Sequence, residues 1–168
     1  ASNFSLGVNI FFELNSYLAK MMKNLSDYKI SMEEIHHTQK LDAPSGTAVS
    51  LLNDILDINT HYNGWRLENA APNEIPVQAH RQPDVPGTHE ISYNSEIDTI
   101  RIEHIAHNRK GFALGAVLAS EFIYQRQGIF TMAGHEDGVV AFGSSADQAA
   151  QRLISVYAAA LKRGAAPN

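Results

Sequence analysis

The sequence predicts an α+β fold: an open mixed β-sheet flanked by helices, with an extra strand-helix unit at the C-terminal end. Three observations carry that prediction. Apolar residues recur at intervals of three and four between Leu6 and Leu25, the helical period. Apolar and polar residues alternate over 28–35, 89–94 and 99–106, the period of half-buried strands. The turn Ala43-Pro44-Ser45-Gly46-Thr47 then separates the first strand from a second helical pattern.

In chain order, Leu6, Ile10, Phe11, Leu14, Tyr17, Leu18, Met21, Met22 and Leu25 define the first helix. Tyr28, Ile30 and Met32 on one face, against Lys29, Ser31 and Glu33 on the other, define the first strand. Ala48, Leu51, Leu52, Ile55 and Leu56 place a second helix from about Thr47, with hydroxyls in front of it that can cap its amides. Residues 59–74 are rich in Asn, Gly and Pro and read as loop, followed by a short strand from Ile75 to His80. After the turn signalled by Pro83, Pro86 and Gly87, two alternating runs, 89–94 and 99–106, suit a hairpin. From Phe112 to Tyr124, apolar residues at helical spacing occupy much of the circumference, so that helix wants cover on more than one side. Finally, 139–142 read as a strand. A helix follows to Lys162, opened by Ser145 and Gln148 at capping-box spacing and closed by Lys162, Arg163 and Gly164.

At 168 residues the chain is long enough to bury a core without disulfides or metals. Its 13 basic and 18 acidic side chains give a net charge of −5, which disfavours a general nucleic-acid binder, since phosphate neutralisation needs concentrated basic surface. No apolar run approaches the roughly 20 residues of a membrane span, so no membrane partner is expected. The absence of cysteine excludes a disulfide scaffold and thiol chemistry and fits a reducing, cytoplasmic setting. The first 132 residues hold eleven alanines and the last 36 hold ten, which divides the chain into 1–132 and an appended 133–168.

The residues that carry chemistry lie in one run, Glu34-Ile35-His36-His37-Thr38-Gln39-Lys40-Leu41-Asp42-Ala43-Pro44-Ser45-Gly46-Thr47-Ala48. Two imidazoles and an ammonium stand at the end of a predicted strand, just before a turn that opens a helix. The amides and positive dipole of that helix start would stabilise an anion at Ser45, Gly46 and Thr47, a carboxylate or a phosphate. Lys40 can pair with a carboxylate or donate a proton, and either histidine could serve as a general acid. Because neighbours on a strand face opposite ways, only one of His36 and His37 is expected to face a given ligand. Two other readings stay open. A simple capped turn beside ordinary strand-end histidines explains the same residues without a ligand. A metal site using His36 or His37 with His104 or His107 is the other, weakened because no acidic residue completes a recognisable spacing. No metal is therefore expected.

The run resembles the signature of the dihydrodipicolinate reductase family, the 4-hydroxy-tetrahydrodipicolinate reductases of lysine biosynthesis, over fifteen consecutive positions. Residues 2–9 resemble the family's hinge into its substrate domain. His80-Arg81 through Gly87-Thr88-His89 resembles its arginine-glycine-histidine loop, and His107-Asn108-Arg109 with Phe112-Ala113 its return to the nucleotide domain. The likeness covers about residues 1–132. It implies that His36 is the catalytic acid and Lys40 a second proton donor, and that His37, Lys40, Ser45, Gly46 and Thr47 hold a small dicarboxylate, with Arg109 a further candidate. It also implies hydride from NADH or NADPH and a homo-oligomer, a tetramer or a dimer, built through the substrate-domain sheets. Arg81 is equally explained by a surface ion pair, Arg109 and His107 by a solvated loop, and His89 by a structural role.

The eleven glycines contain no Gly-x-Gly-x-x-Gly, the fingerprint of a dinucleotide site. The expectation is a substrate-binding domain without its nucleotide domain, which binds no cofactor tightly and turns over little alone. The alternative is a chimeric structural or oligomerisation module with a relic site. The segment 134–143 faintly resembles the closing strand of class II aldolase-like proteins, but His135 alone cannot make a metal site.

Overall fold

The computed structural model describes residues 3–124, 128–131 and 139–142, with side chains described as far as Glu121. Its elements are α1 (Leu6–Met22), β1 (Lys29–His36), α2 (Gly46–Ile58), β2 (Gly64–Arg66), β3 (Glu74–Arg81), β4 (Gly87–Asn94), β5 (Thr99–Ala106), α3 (Lys110–Tyr124), β6 (Gly128–Thr131) and β7 (Val139–Phe142). Residues 2–115 form one compact unit. Residues 116–168, together with residue 1, form another.

In the first unit, five strands make a sheet in the order β2-β3-β1-β4-β5. β1 runs parallel to β3 and β2 parallel to β3, whereas β4 is antiparallel to both β1 and β5. The mixed open sheet of the α+β expectation is what forms. Burial along β1 alternates, with Ile30, Met32, Glu34 and His36 inward, so the parity that makes Ile30 and Met32 core residues also turns Glu34 and His36 to the covered face. The register carries that face across the sheet: Met32 pairs with Val77 and Ile91, and Ile91 with Ile102.

On this face α1 and α2 close one core with the sheet. Val8, Phe11, Phe12, Leu18, Ala19 and Met22 of α1 and Ala48, Leu51, Leu52 and Ile55 of α2 cluster with Ile30, Met32, Ile75, Val77, Ile91 and Tyr93. Leu51, Leu52 and Ile55 have no exposed surface, and burial of each such side chain is worth about 1.5–3 kcal/mol. Asn15, also fully buried, donates from Nδ2 to the Leu51 carbonyl at 2.9 Å and so ties the helices together. The apolar residues of α1 divide between two faces. Leu6, Ile10, Leu14, Tyr17 and Met21 stay exposed, although the same period announced them.

Two differences from the sequence reading concern the edges. The loop expected over 59–74 contains β2, held to β3 by the bidentate pair of Arg66 with Glu74 at 2.8 and 2.7 Å. Three residues are too few to show an alternation. In α3, Leu114, Val117 and Leu118 are 46–60% exposed, so the cover this helix wants on that side does not come from the described residues.

In the second unit, β6 and β7 pair antiparallel, Gly128 with Phe142 through Thr131 with Val139. The expected strand at 139–142 is present, and β6, which the sequence did not signal, is its partner. The expected helix opened by Ser145 and Gln148, its end at Lys162 to Gly164, and His135 all lie outside the described residues.

Candidate functional site

The turn between β1 and α2 is built by its own side chains. Ser45 takes extended backbone angles at the helix N-cap, its Oγ accepts from the Ala48 amide at 3.2 Å, and its carbonyl accepts from Val49 at 2.9 Å. That leaves the amides of Gly46 and Thr47 at the open end of the helix without an intrahelical acceptor. Thr47 Oγ1 accepts from Asn3 Nδ2 at 3.3 Å, and Asn3 Oδ1 accepts the Ser5 amide at 2.9 Å, which places the Thr47 hydroxyl against the start of α1.

In front of this turn lies an open cavity of about 690 Å³, lined by His36, His37, Lys40, Ser45, Gly46, Thr47 and Arg109 among others. Every residue singled out from the sequence as catalytic or substrate-binding is in that wall. His36 and His37 both line it, contrary to the expectation that only one would. β1 ends at His36, so the strand's alternation no longer governs His37. Lys40 holds Asp42 with both carboxylate oxygens at 2.8 Å from Nζ, and this contact keeps the Asp42 carboxyl below the usual carboxylate range. The Arg109 guanidinium lies 3.1 Å from His37 Nε2, the arginine donating. His107, the other loop candidate, is exposed and outside the cavity wall.

Behind the cavity stands a residue the sequence reading used only as the first letter of the motif. Glu34 is completely buried. Its two oxygens accept the Ser45 amide at 3.1 and 3.0 Å, and Oε1 lies 3.4 and 3.3 Å from the two terminal nitrogens of Arg81. Arg81 is therefore no surface ion pair: it also donates to the carbonyls of Lys40, Asp42 and His80 and so fastens the whole loop from 40 to 42 to β3. Glu34 Oε2 is 3.6 Å from His36 Nδ1 and 3.8 Å from His89 Nε2. Glu34, His36 and His89 thus bring side-chain atoms within 4.8 Å of one another, a grouping that includes His89 rather than the His104 or His107 of the sequence expectation. That carboxylate already accepts from a guanidinium and an amide.

His89 is structural in part, since its Nε2 shares a 3.0 Å hydrogen bond with the capping hydroxyl of Ser45, and it also lines the cavity. Its burial, with His36, His104 and Lys40 nearby, pushes its pKa down to about 3, so the ring is neutral. His36 is lowered from its ordinary value chiefly by burial, with Lys40 and Arg81 adding and Glu34 and Asp42 opposing. The two rings meet edge to face, centroids 5.0 Å apart. Asn3, Gly87, His89 and His104, which also line the wall, come from segments distant in sequence, and their approach depends on the sheet's register.

A profile of the family described as "Dihydrodipicolinate reductase, C-terminus" matches residues 7–135. The chain belongs to the dihydrodipicolinate reductase family. Relatives named 4-hydroxy-tetrahydrodipicolinate reductase include one from Christiangramia forsetii, 58% identical over 132 residues, covering 79% of this chain and 55% of the relative. Others come from Alkaliphilus metalliredigens, 39% identical over 79% of this chain and 57% of the relative, and Methanosarcina barkeri, 39% over 77% and 50%. The chain thus spans about half the length of the curated relatives it matches. A solved dihydrodipicolinate reductase from a Paenisporosarcina species, described as dipicolinate-bound, shares the fold with a TM-score of 0.57 at 23% identity, over 73% of this chain and 48% of that one. No described helix is long and apolar enough to cross a membrane.

Proposed function

We propose that this chain is the substrate-binding half of an NAD(P)H-dependent 4-hydroxy-tetrahydrodipicolinate reductase, and that its cavity takes a small cyclic dicarboxylate. The observation that carries the reading is the convergence in one cavity of a helix start, Lys40, two histidines and Arg109. One carboxylate fits the amides of Gly46 and Thr47 with the Thr47 hydroxyl, whose oxygen is already occupied as acceptor and whose proton is free to be donated. The second carboxylate meets Lys40, with His37 and Arg109 at the outer rim. His36, inside, is the proton donor to the ring, and Lys40 a second. Hydride for such a reduction is supplied by NADH or NADPH. The described residues do not fit a tight dinucleotide site: the strand-to-helix turn after β1 carries Pro-Ser-Gly-Thr, with no glycine-rich cradle for a pyrophosphate, so turnover by this chain alone is expected to be slight. Association through the sheet face opposite the helices, where Lys29, Gln78, His80, Arg101 and Glu103 are exposed, would give the family's oligomer.

Calorimetry with pyridine-2,6-dicarboxylate tests the site. Binding is expected to weaken at least about tenfold in Lys40→Ala, the loss of a charge-assisted contact worth about 1.5–3 kcal/mol. An absence of binding at millimolar ligand by the folded chain would overturn the reading.

A further inference from the structure

We propose that Glu34 is a positioning residue: its buried carboxylate holds the His36 ring with Nδ1 inward and Nε2 toward the cavity wall, so that the proton delivered by His36 leaves from Nε2. The proposal rests on the reading of His36 as the proton donor. His36 Nδ1 is sealed from solvent and has no hydrogen-bond partner among the described residues, yet it stands 3.6 Å from Glu34 Oε2. An orphaned buried nitrogen is costly unless it turns to an acceptor, and a separation this short closes with a small ring movement when a ligand fills the cavity. The other ring nitrogen is on the far side, beside Gly87, whose own position lines the cavity.

The hydrogen bonds that Glu34 makes to the Ser45 amide and to Arg81 fix the carboxylate in place, and Oε2 is left directed between the two imidazoles. The titratable and charged groups around His36 are Glu34 on β1, Lys40 and Asp42 on the following loop, Arg81 on β3 and His89 on β4. His37 and, on β5, His104 line the same cavity. Among these, burial, Lys40 and Arg81 disfavour a charged His36. Glu34 is the first of the opposing groups, so it sustains the protonated ring that a general acid requires.

The test is nitrogen-15 and proton NMR of the His36 ring in this chain, as wild type and as Glu34→Gln, across pH. In the wild type the neutral ring is expected mainly as the Nδ1–H tautomer. In Glu34→Gln, whose side-chain oxygen can still accept the Ser45 amide, the His36 titration midpoint is expected to fall by about one pH unit or more. A role confined to holding the turn would leave that midpoint unmoved. A wild-type ring that is mainly Nε2–H, or an unchanged midpoint in a folded Glu34→Gln chain, overturns the proposal. If Glu34→Gln does not fold, the wild-type tautomer decides alone. Calorimetry with pyridine-2,6-dicarboxylate on the same wild-type sample separates the two readings: a missing ligand isotherm counts against the dicarboxylate site, and the tautomer against or for Glu34.

Discussion

Gly87 and His36 meet so closely that a methyl group at Gly87 would lie 3.1 Å from His36 Nε2. The absence of a side chain at the start of β4 is thus what lets the imidazole rest against the backbone, with Nε2 beside the cavity.

Gly87→Ala is accordingly expected to displace the His36 ring. Overpacking of this kind costs about 1–3 kcal/mol, which urea denaturation would read, and the displaced ring should weaken dicarboxylate binding in calorimetry. Wild-type stability together with wild-type affinity would show that the ring yields freely and that Gly87 shapes nothing.

A second glycine contact leaves no freedom. A Cβ on Gly115, buried in α3, would overlap the Phe4 carbonyl, and the obstacle is backbone with no flexible end to move aside. Gly115→Ala is expected to cost more than about 3 kcal/mol, in the range of changes that break close backbone packing. A chain with this substitution that unfolds at the wild-type urea midpoint would contradict the close approach.

Much of this fold is legible in the sequence because its elements declare their periods. Leu6 to Leu25 and 99–106 need no tertiary information to be recognised as helix and strand. What the periods leave open is which side is covered. Along α1 they mark Leu6, Ile10 and Leu14 as plainly as Phe11 and Leu18, and only the packing against α2 and the sheet buries the second set. β2 escapes notice because Gly64-Trp65-Arg66 is too short to alternate and exists by its parallel pairing with β3. In the site, the local run from Glu34 to Ala48 is readable as an anion-binding turn, and the parity of β1 places Glu34 inside. Arg81, His89, Gly87 and Asn3 could not be assigned to it from spacing, since β3, β4 and the start of α1 bring them in through the sheet register and helix docking.

Asp42 occupies the charge that the site needs. With both of its oxygens at 2.8 Å from Lys40 Nζ, it competes with any carboxylate that approaches the same ammonium. An exposed pair of this sort is worth at most about 1 kcal/mol, so Asp42→Asn should tighten pyridine-2,6-dicarboxylate binding by about two- to fivefold and leave stability nearly unchanged. Weaker binding in Asp42→Asn would instead make Asp42 the group that aims Lys40 into the cavity.

Acid should loosen the fold through its buried histidines. His89 titrates at about 3 in the folded chain against an ordinary 6.5, because burial disfavours the charged ring. The unfolded chain therefore holds more protons between those two values, and the stability this ring contributes is full above pH 6.5 and drains away as pH falls toward 3, at up to about 1.4 kcal/mol per pH unit. His36 and His104, also lowered chiefly by burial, add in the same direction. Asp54 has the opposite sign: burial, with Asp57 and Glu13 nearby, raises its carboxyl to about 6, so the folded chain holds the extra proton and stability falls as pH rises from about 4 to 6. Urea midpoints measured from pH 7 to 4 should thus decline steeply in the wild type and less steeply in His89→Gln. Asp54→Asn should gain about 1 kcal/mol at pH 7, discounted for its partial exposure, and nothing at pH 4. A His89→Gln profile parallel to the wild type would mean that the ring titrates alike in the folded and unfolded chain, and would contradict the effect of burial on it.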